Sequence, residues 1–254
     1  MMKILIFAGH STNGYRGSGA IGSLNESNEN RRLGKKVVEY LKAMGIDADF
    51  ACVDIPKTTN YLKEQVTLAN SMGSYDCMVQ IHFNASNGNG KGTETYYISS
   101  KGKVFAERVH NKLKTLFRDR GVKQNNGLYW LKNTSCPSIL IETCFCDNND
   151  DAKIYNNNFN KVAQLIAEGL ANKTYVAKPQ EETKQEFKQY LARCTTNSLN
   201  CRKGAGTNYA IERQIDKGVV ITIVEEKMNG NTKWLKAKSG YWVSAKYMEF
   251  VRYV

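Results

Sequence analysis

The chain has 254 residues, 41% of them hydrophobic and only three of them proline, which is enough apolar material for one or two folded domains and excludes a wholly disordered chain. Its 36 lysines and arginines outnumber its 24 acidic residues and give a net charge of +12. This charge favours an anionic partner such as a nucleic acid, an acidic membrane surface or an anionic polymer. The sequence contains no run of about 18 apolar residues, so we expect no membrane insertion.

The first residues predict a buried strand and not a secretion signal. A signal peptide needs about 7–15 consecutive apolar residues and a small-residue cleavage site. The apolar run here is five residues long and ends at Gly9 and His10. We therefore expect the protein to be made in the cytoplasm without a signal peptide. Seven cysteines, an odd number without regular spacing, suit reduced thiols in that compartment.

Predicted strands and helices alternate along residues 1–173. Short apolar runs predict strands at 3–8, 77–81, 128–131 and 138–141, alternation predicts one at 48–53, and a segment rich in threonine and tyrosine predicts one at 93–98. Apolar residues at helical spacing predict helices at 29–44, 58–72, 105–116 and 162–170. This alternation predicts an α/β domain with a mainly parallel twisted sheet that is flanked by helices.

The pattern changes after residue 173. Residues 173–188 are polar and charged, as is typical of a linker. Short strand-like runs follow at 190–194, 219–225, 233–237 and 240–243, with glycine-containing turns between them. We therefore predict a first domain at 1–173, a linker at 174–186, and a small all-β barrel at 187–254.

Polar side chains stand where the predicted strands end. His10 follows the first strand, His82 follows the strand at 77–81, and Glu142 ends the strand at 138–141. Because the carboxyl ends of parallel strands share one edge of a sheet, we expect both histidines to face one cleft, with Glu26 on the adjoining loop. Two histidines and one carboxylate are the ligand set of a catalytic zinc ion that keeps an open position for water. A carboxylate at Glu142 can act as the general base on that water.

Simpler interpretations exist for the same residues. A histidine after a strand is more often a hydrogen-bonded loop residue than a metal ligand. The segment from Gly17 to Gly22 matches the pattern GxGxxG, but a dinucleotide site needs this motif directly after a strand and at the start of a helix. We interpret the segment as a loop that flanks the cleft.

Four segments together resemble a known family. The phrases Ala-Gly-His10-Ser, Asn-Glu26, Ile-His82-Phe-Asn-Ala and Leu-Ile-Glu142-Thr-Cys-Phe are similar, in order and spacing, to the signature segments of the zinc-dependent N-acetylmuramoyl-L-alanine amidases of the amidase-3 family. The resemblance covers residues 1–173. It implies one zinc ion per chain, bound by His10, Glu26 and His82, and it implies that Glu142 is the catalytic carboxylate. Glu29 lies one helical turn from Glu26 and is the alternative third ligand.

The last part of the sequence resembles bacterial SH3 domains. Residues 198–209 read Ser-Leu-Asn-Cys-Arg-Lys-Gly-Ala-Gly-Thr-Asn-Tyr and are similar to the hallmark of that family, and residues 233–237 and 240–248 resemble its closing strands. The resemblance implies a module that binds bacterial cell walls. An amidase domain followed by such a module, with a high positive charge and no signal peptide, resembles a clostridial phage endolysin.

These resemblances imply a peptidoglycan hydrolase that cleaves the amide between N-acetylmuramic acid and the L-alanine of the stem peptide, with zinc-bound water as the nucleophile. The expected partners are bacterial peptidoglycan and anionic wall polymers, and no nucleic acid. The protein is expected to reach the wall after release from the bacterial cytoplasm. Two alternatives stay open: a zinc peptidase that cuts within the stem peptide, and a non-enzymatic protein that binds walls or nucleic acid.

Overall fold

The computed structural model describes residues 2–176 and 187–254. The chain divides into two compact units, Met1–Val176 and Ala177–Val254. Each unit has a hydrophobic core of its own. Most of the predicted linker at 174–186 lies outside the described residues. In the described part of the chain, no helix combines the length and the apolar character that a membrane crossing requires.

The first unit is built on a six-stranded sheet. Its strands are β1 (Lys3–Ala8), β2 (Asp47–Ala51), β3 (Cys77–Asn84), β4 (Thr93–Tyr97), β5 (Asp119–Gln124) and β6 (Ser138–Phe145). They lie in the order β2-β1-β3-β6-β4-β5. All neighbouring strands are parallel except β6 and β4, which are antiparallel. The predicted α/β class with a mainly parallel sheet is confirmed.

Helices cover both faces of this sheet. They are α1 (Glu26–Ala43), α2 (Tyr61–Ser71), α3 (Ser100–Leu113), α4 (Tyr129–Asn133), α5 (Asn149–Asn157) and α6 (Phe159–Ala171). Successive residues of β1 alternate between two cores, with Ile4 and Ile6 in one and Leu5 and Phe7 in the other. A strand that is buried on both faces needs apolar residues at every position, which explains the unbroken apolar run at the start of the sequence.

Helix α1 begins three residues earlier than the sequence pattern predicts. The side chain of Asn25 accepts a hydrogen bond from the backbone N–H of Asn28 and caps the helix at this point. Glu26 and Glu29 then both lie in the first turn, where the helix dipole favours negative charge. Glu26 therefore lies on the helix and not on the preceding loop.

Other element predictions differ from the structure in type or extent. Residues 128–131 were expected to form a strand, but they enter α4, whose Trp130 and Leu131 pack into the core. A short apolar run does not distinguish a buried strand from a buried helix. Strands β3 and β6 continue past their predicted ends, so His82 and Glu142 lie inside strands. The sequence pattern missed β5 and α5.

The second unit is an all-β module. Its strands are β7 (Tyr190–Cys194), β8 (Leu199–Arg202), β9 (Ile211–Ile215), β10 (Val220–Asn229), β11 (Thr232–Ala237), β12 (Trp242–Ser244) and β13 (Met248–Tyr253). They form one antiparallel sheet in the order β13-β7-β10-β11-β12-β8-β9. Cys194 and Cys201 belong to its core, and Trp234 and Trp242 are also buried. These tryptophans therefore support the fold and form no exposed aromatic surface.

Candidate functional site

The sheet topology gathers the four predicted site residues at its carboxyl-terminal edge. His10 follows β1, His82 lies in β3, and Glu142 lies in β6. Strands β1 and β6 are the two parallel neighbours of β3, and Glu142 is the register partner of His82. Glu26 approaches from the first turn of α1.

One oxygen of Glu26 lies at the centre of a three-residue cluster. Its Oε1 lies 3.2 Å from Nε2 of His10 and 3.0 Å from Nδ1 of His82. The same oxygen accepts a hydrogen bond of 3.1 Å from the backbone N–H of Phe83, and Oε2 accepts one of 3.0 Å from that of Ala20. The donor atoms of the three side chains all lie within 4.8 Å of one another. This arrangement is a possible metal site.

Glycines hold both histidines in place. His10 has φ = 63°, a left-handed backbone conformation, and its Nδ1 donates to the carbonyl oxygen of Gly17 over 2.9 Å. This hydrogen bond orients the ring so that Nε2 faces Glu26. A Cβ on Gly19 would lie 2.6 Å from Oε2 of Glu26, and a Cβ on Gly9 would overlap the ring of His82. The loop with the GxGxxG pattern thus packs against the cluster, a role that its sequence motif does not indicate.

Two of the three side chains, Glu26 and His82, are held in the protonation state that metal ligands require. Burial raises the pKa of Glu26, but the hydrogen bonds with His10 and His82 outweigh burial and bring this pKa far below its usual range. Burial lowers the pKa of His82. For His10, burial also lowers the pKa, and the contacts with Glu26 overcome this effect and raise it. An ionised carboxylate beside the neutral imidazole of His82 matches the ligand forms that metals bind.

Glu142 is the second carboxyl group of the site. Its Oε2 is buried and has no hydrogen-bond partner in the described part of the chain. Burial, followed by the negative charges of Glu26 and Glu94, raises the pKa of Glu142 to about 8. A group with such a pKa can accept and return a proton near neutral pH, as general acid–base chemistry requires.

Glu29, the alternative third ligand, has other partners. Its Oε2 accepts a hydrogen bond of 2.8 Å from the hydroxyl of Tyr155 and lies 3.1 Å from a guanidinium nitrogen of Arg32. The structure therefore brings Glu26, and not Glu29, to the two histidines.

A third buried carboxylate lies beside Glu142, and the sequence analysis did not single it out. Glu94 of β4 is the register partner of Glu142. Its Oε1 accepts hydrogen bonds from the amide of Asn84, over 2.8 Å, and from the hydroxyl of Tyr96, over 2.9 Å. Two cations of β5 contact its other oxygen. Only the strand pairing reveals this neighbourhood, since Glu94 stands in a polar segment without a motif of its own.

Comparison with known proteins places both parts of the chain in families. A family model for N-acetylmuramoyl-L-alanine amidases matches residues 4–172, and one for bacterial SH3 domains matches residues 197–249. An uncharacterised protein of Clostridium perfringens is 30% identical over 241 residues, which cover 89% of this chain and 69% of that protein. The endolysin of Bacillus phage SPP1 is 27% identical over 233 residues, which cover 83% of this chain and 85% of the endolysin.

A solved structure agrees with these sequence matches. The catalytic domain of the CD27L endolysin, which targets Clostridia difficile, is 36% identical to this chain with a TM-score of 0.65. The match covers 69% of this chain and 100% of that domain.

Proposed function

This chain belongs to the N-acetylmuramoyl-L-alanine amidase family and is a peptidoglycan amidase, and we propose that it works with one zinc ion per chain, bound by His10, Glu26 and His82. The reaction is hydrolysis of the amide between N-acetylmuramic acid and the L-alanine of the stem peptide. The observation that carries the zinc proposal is the His–Glu–His cluster, with Glu26 buried and both histidines half-buried, and with Glu142 on the neighbouring strand.

The spacing of the cluster fits a zinc ion. Zinc binds histidine nitrogen and carboxylate oxygen at about 2.0–2.2 Å, so two ligand atoms on a tetrahedral ion lie about 3.3 Å apart. The distances from Glu26 Oε1 to His10 Nε2 and His82 Nδ1 are 3.2 and 3.0 Å. A cation would also compensate a carboxylate that is only 4% exposed. Three protein ligands leave the fourth position open for water or substrate.

Glu142 is suited to move the proton of the reaction. A zinc ion held by His10, Glu26 and His82 would supply a water molecule of lowered pKa and would polarise the scissile carbonyl. A cation bound beside it would favour the ionised form of Glu142. In that form Glu142 accepts a proton from the attacking water and then donates one to the leaving nitrogen of L-alanine. Two observations support this role: Oε2 of Glu142 has no hydrogen-bond partner among the described residues, and Glu142 is the register partner of His82. The side-chain oxygen of Asn84 accepts a hydrogen bond from the backbone N–H of Ala85. We therefore give Asn84 a structural role in the loop after β3.

The second unit anchors the enzyme to its insoluble substrate. We infer a catalytic domain at 1–173, a linker at 174–186 and a wall-binding domain at 187–254. Tethering raises the local concentration of the catalytic domain at the wall without contact with the cleaved bond. The net charge of +12 suits anionic wall polymers as a further partner. The enzyme acts on the wall after release from the bacterial cytoplasm.

Digestion of purified cell walls tests the bond specificity. The chain should release new N-terminal L-alanine and no new reducing sugar, and the Glu142→Gln variant serves as the inactive control. New amino termini on other residues would instead identify a peptidase that cuts within the stem peptide. Wall binding without any product would support the non-enzymatic alternative.

Removal of the wall-binding domain tests the division of labour. A chain that ends at Lys173 should cleave soluble muropeptides at the rate of the full chain, because all proposed site residues precede this point. It should digest whole walls more slowly, because the tether is lost. The isolated residues 187–254 should co-sediment with walls, and a module that stays in solution at every salt concentration would contradict the anchoring role.

A further inference from the structure

A β-bulge at the edge of the sheet brings two cations to the same face. Between β4 and β5 the register shifts, so that Arg120 and Gly121 stand opposite the single residue Glu94. Gly121 has φ = 89°, in the left-handed region that favours glycine. In a regular strand the side chains of Arg120 and Lys123 would point to opposite faces. The extra residue of the bulge places both on one face, and bulges of this kind redirect side chains near active sites.

Both cations meet one oxygen of Glu94. Arg120 Nε lies 3.1 Å and Lys123 Nζ lies 2.5 Å from Glu94 Oε2. The side chain of Glu94 is 3% exposed, whereas those of Arg120 and Lys123 are 33% and 42% exposed. One cation would suffice to neutralise this carboxylate. The second leaves one positive charge in excess at a place that solvent and ligands can reach.

The cations lie in line with the proposed catalytic residues. The register places His82 of β3 beside Glu142 of β6, and Glu142 beside Glu94 of β4. Paired residues of neighbouring strands point to the same face, so this row leads from the histidine to Arg120 and Lys123. Neighbouring strands are about 4.8 Å apart, which puts β5 about 10 Å from β6. Three extended peptide residues span about this distance.

We propose that Arg120 and Lys123 form a carboxylate-binding subsite for the stem peptide, two or three residues from the amide that is cleaved beside Glu142. The inference rests on the proposed function. Glu94 uses Nε of Arg120, and the guanidinium and ammonium groups keep further N–H donors for an incoming carboxylate. The guanidinium of Arg120 also lies 4.8 Å from the ring centre of Phe145. This contact orients the guanidinium group in the ligand-free chain.

The test compares peptides that differ only in the charge of one carboxylate. Zinc-loaded Glu142→Gln chain is titrated by calorimetry with a synthetic muramyl peptide whose carboxylates are free, and with versions in which each carboxylate is amidated in turn. We expect one amidation to weaken binding about ten- to a hundredfold, since a charge-assisted hydrogen bond is lost. Adding Lys123→Gln should remove most of this preference for the free acid, and Lys123→Arg should retain it. Lys103→Gln on α3, at a half-exposed lysine, is the matched control and should change nothing.

The outcomes separate the subsite from a structural ion pair. Lys123→Gln leaves Arg120 to pair with Glu94, and Arg120→Gln with Lys123 retained gives a second, independent variant. A chain that binds every amidated version as tightly as the free acid would overturn the proposal. So would a Lys123→Gln variant that loses equal affinity for acid and amide. Absence of cleavage of the same peptides by the unsubstituted chain would refute the proposed function, whereas the acid preference in binding would still report on the subsite.

Discussion

Replacing Glu142 by glutamine should make the enzyme slower and its metal-free chain more stable. Glutamine keeps the size of the side chain but cannot accept the proton of the attacking water. We expect the rate of L-alanine release to fall by about two to four orders of magnitude. Zinc binding should persist, because the three proposed ligands are unchanged.

The gain in stability follows from the burial of this carboxyl group. Its pKa rises from an ordinary value of 4.5 to about 8 in the folded chain. At pH 7 the unfolded chain has lost this proton and the folded chain retains it, which costs folding about 3 kcal/mol. Because the folded pKa is the higher one, the stability is complete below pH 4.5 and decreases as the pH rises towards 8. Glutamine does not titrate, so the variant does not lose this stability as the pH rises.

Urea unfolding with a metal chelator present measures the effect. The free energy of unfolding of Glu142→Gln should match that of the parent near pH 4 and exceed it by about 3 kcal/mol at pH 7. Glu39→Gln, at an exposed glutamate of α1, is the control and should track the parent at both pH values. A difference between parent and variant that does not change with pH would refute the assignment of a buried, raised-pKa carboxyl group. Loss of zinc together with activity would make Glu142 a ligand instead of the base.

Five further substitutions test the metal site. His10→Ala or His82→Ala should abolish activity and lose zinc on dialysis, as metal analysis will report, because two remaining ligands hold zinc poorly. Glu26→Gln should lose zinc while Glu29→Gln keeps it, and the reverse result would move the third ligand to Glu29. Gly9→Ala should push the ring of His82 from its place and weaken zinc affinity about 10- to 100-fold, with an unchanged circular dichroism spectrum.

Local patterns predicted the class of the fold well, but not where its strands end. Apolar runs predict buried strands, and the runs at 77–81 and 138–141 stop at His82 and Glu142, so the predicted strands end there. In the structure both strands continue, because the pairing of β3 with β6 satisfies the backbone of polar residues as well as apolar ones. Strand β5 was not predicted because it is a polar strand at the edge of the sheet, interrupted by a glycine bulge, and so it lacks an apolar run.

The choice between Glu26 and Glu29 depended on which asparagine caps α1. The segment offers two candidates, Asn25 and Asn28, and each precedes a glutamate. Capping by Asn28 would start the helix at Glu29, as the apolar periodicity predicted. Capping by Asn25 adds almost one turn and carries Glu26 to the histidines. Residue types alone do not distinguish the two caps, because both are equally good acceptors for the free N–H groups of a first turn.

The two glutamates of the proposed centre have different roles because of their surroundings. Glu26 accepts hydrogen bonds from His10, His82 and two backbone N–H groups, so its ionised form is stabilised and suited to hold a cation. Glu142 is half-buried, one of its oxygens has no donor among the described residues, and a second carboxylate, Glu94, lies on the adjacent strand. Its proton is therefore held near neutral pH and can be exchanged with substrate. Such a separation of pKa values between two carboxyl groups supports the proposed roles of Glu26 as ligand and Glu142 as proton carrier. It depends on the pairing of β6 with β3 and β4, which both precede β5 in the chain whereas β6 follows it, so no local sequence motif contains it.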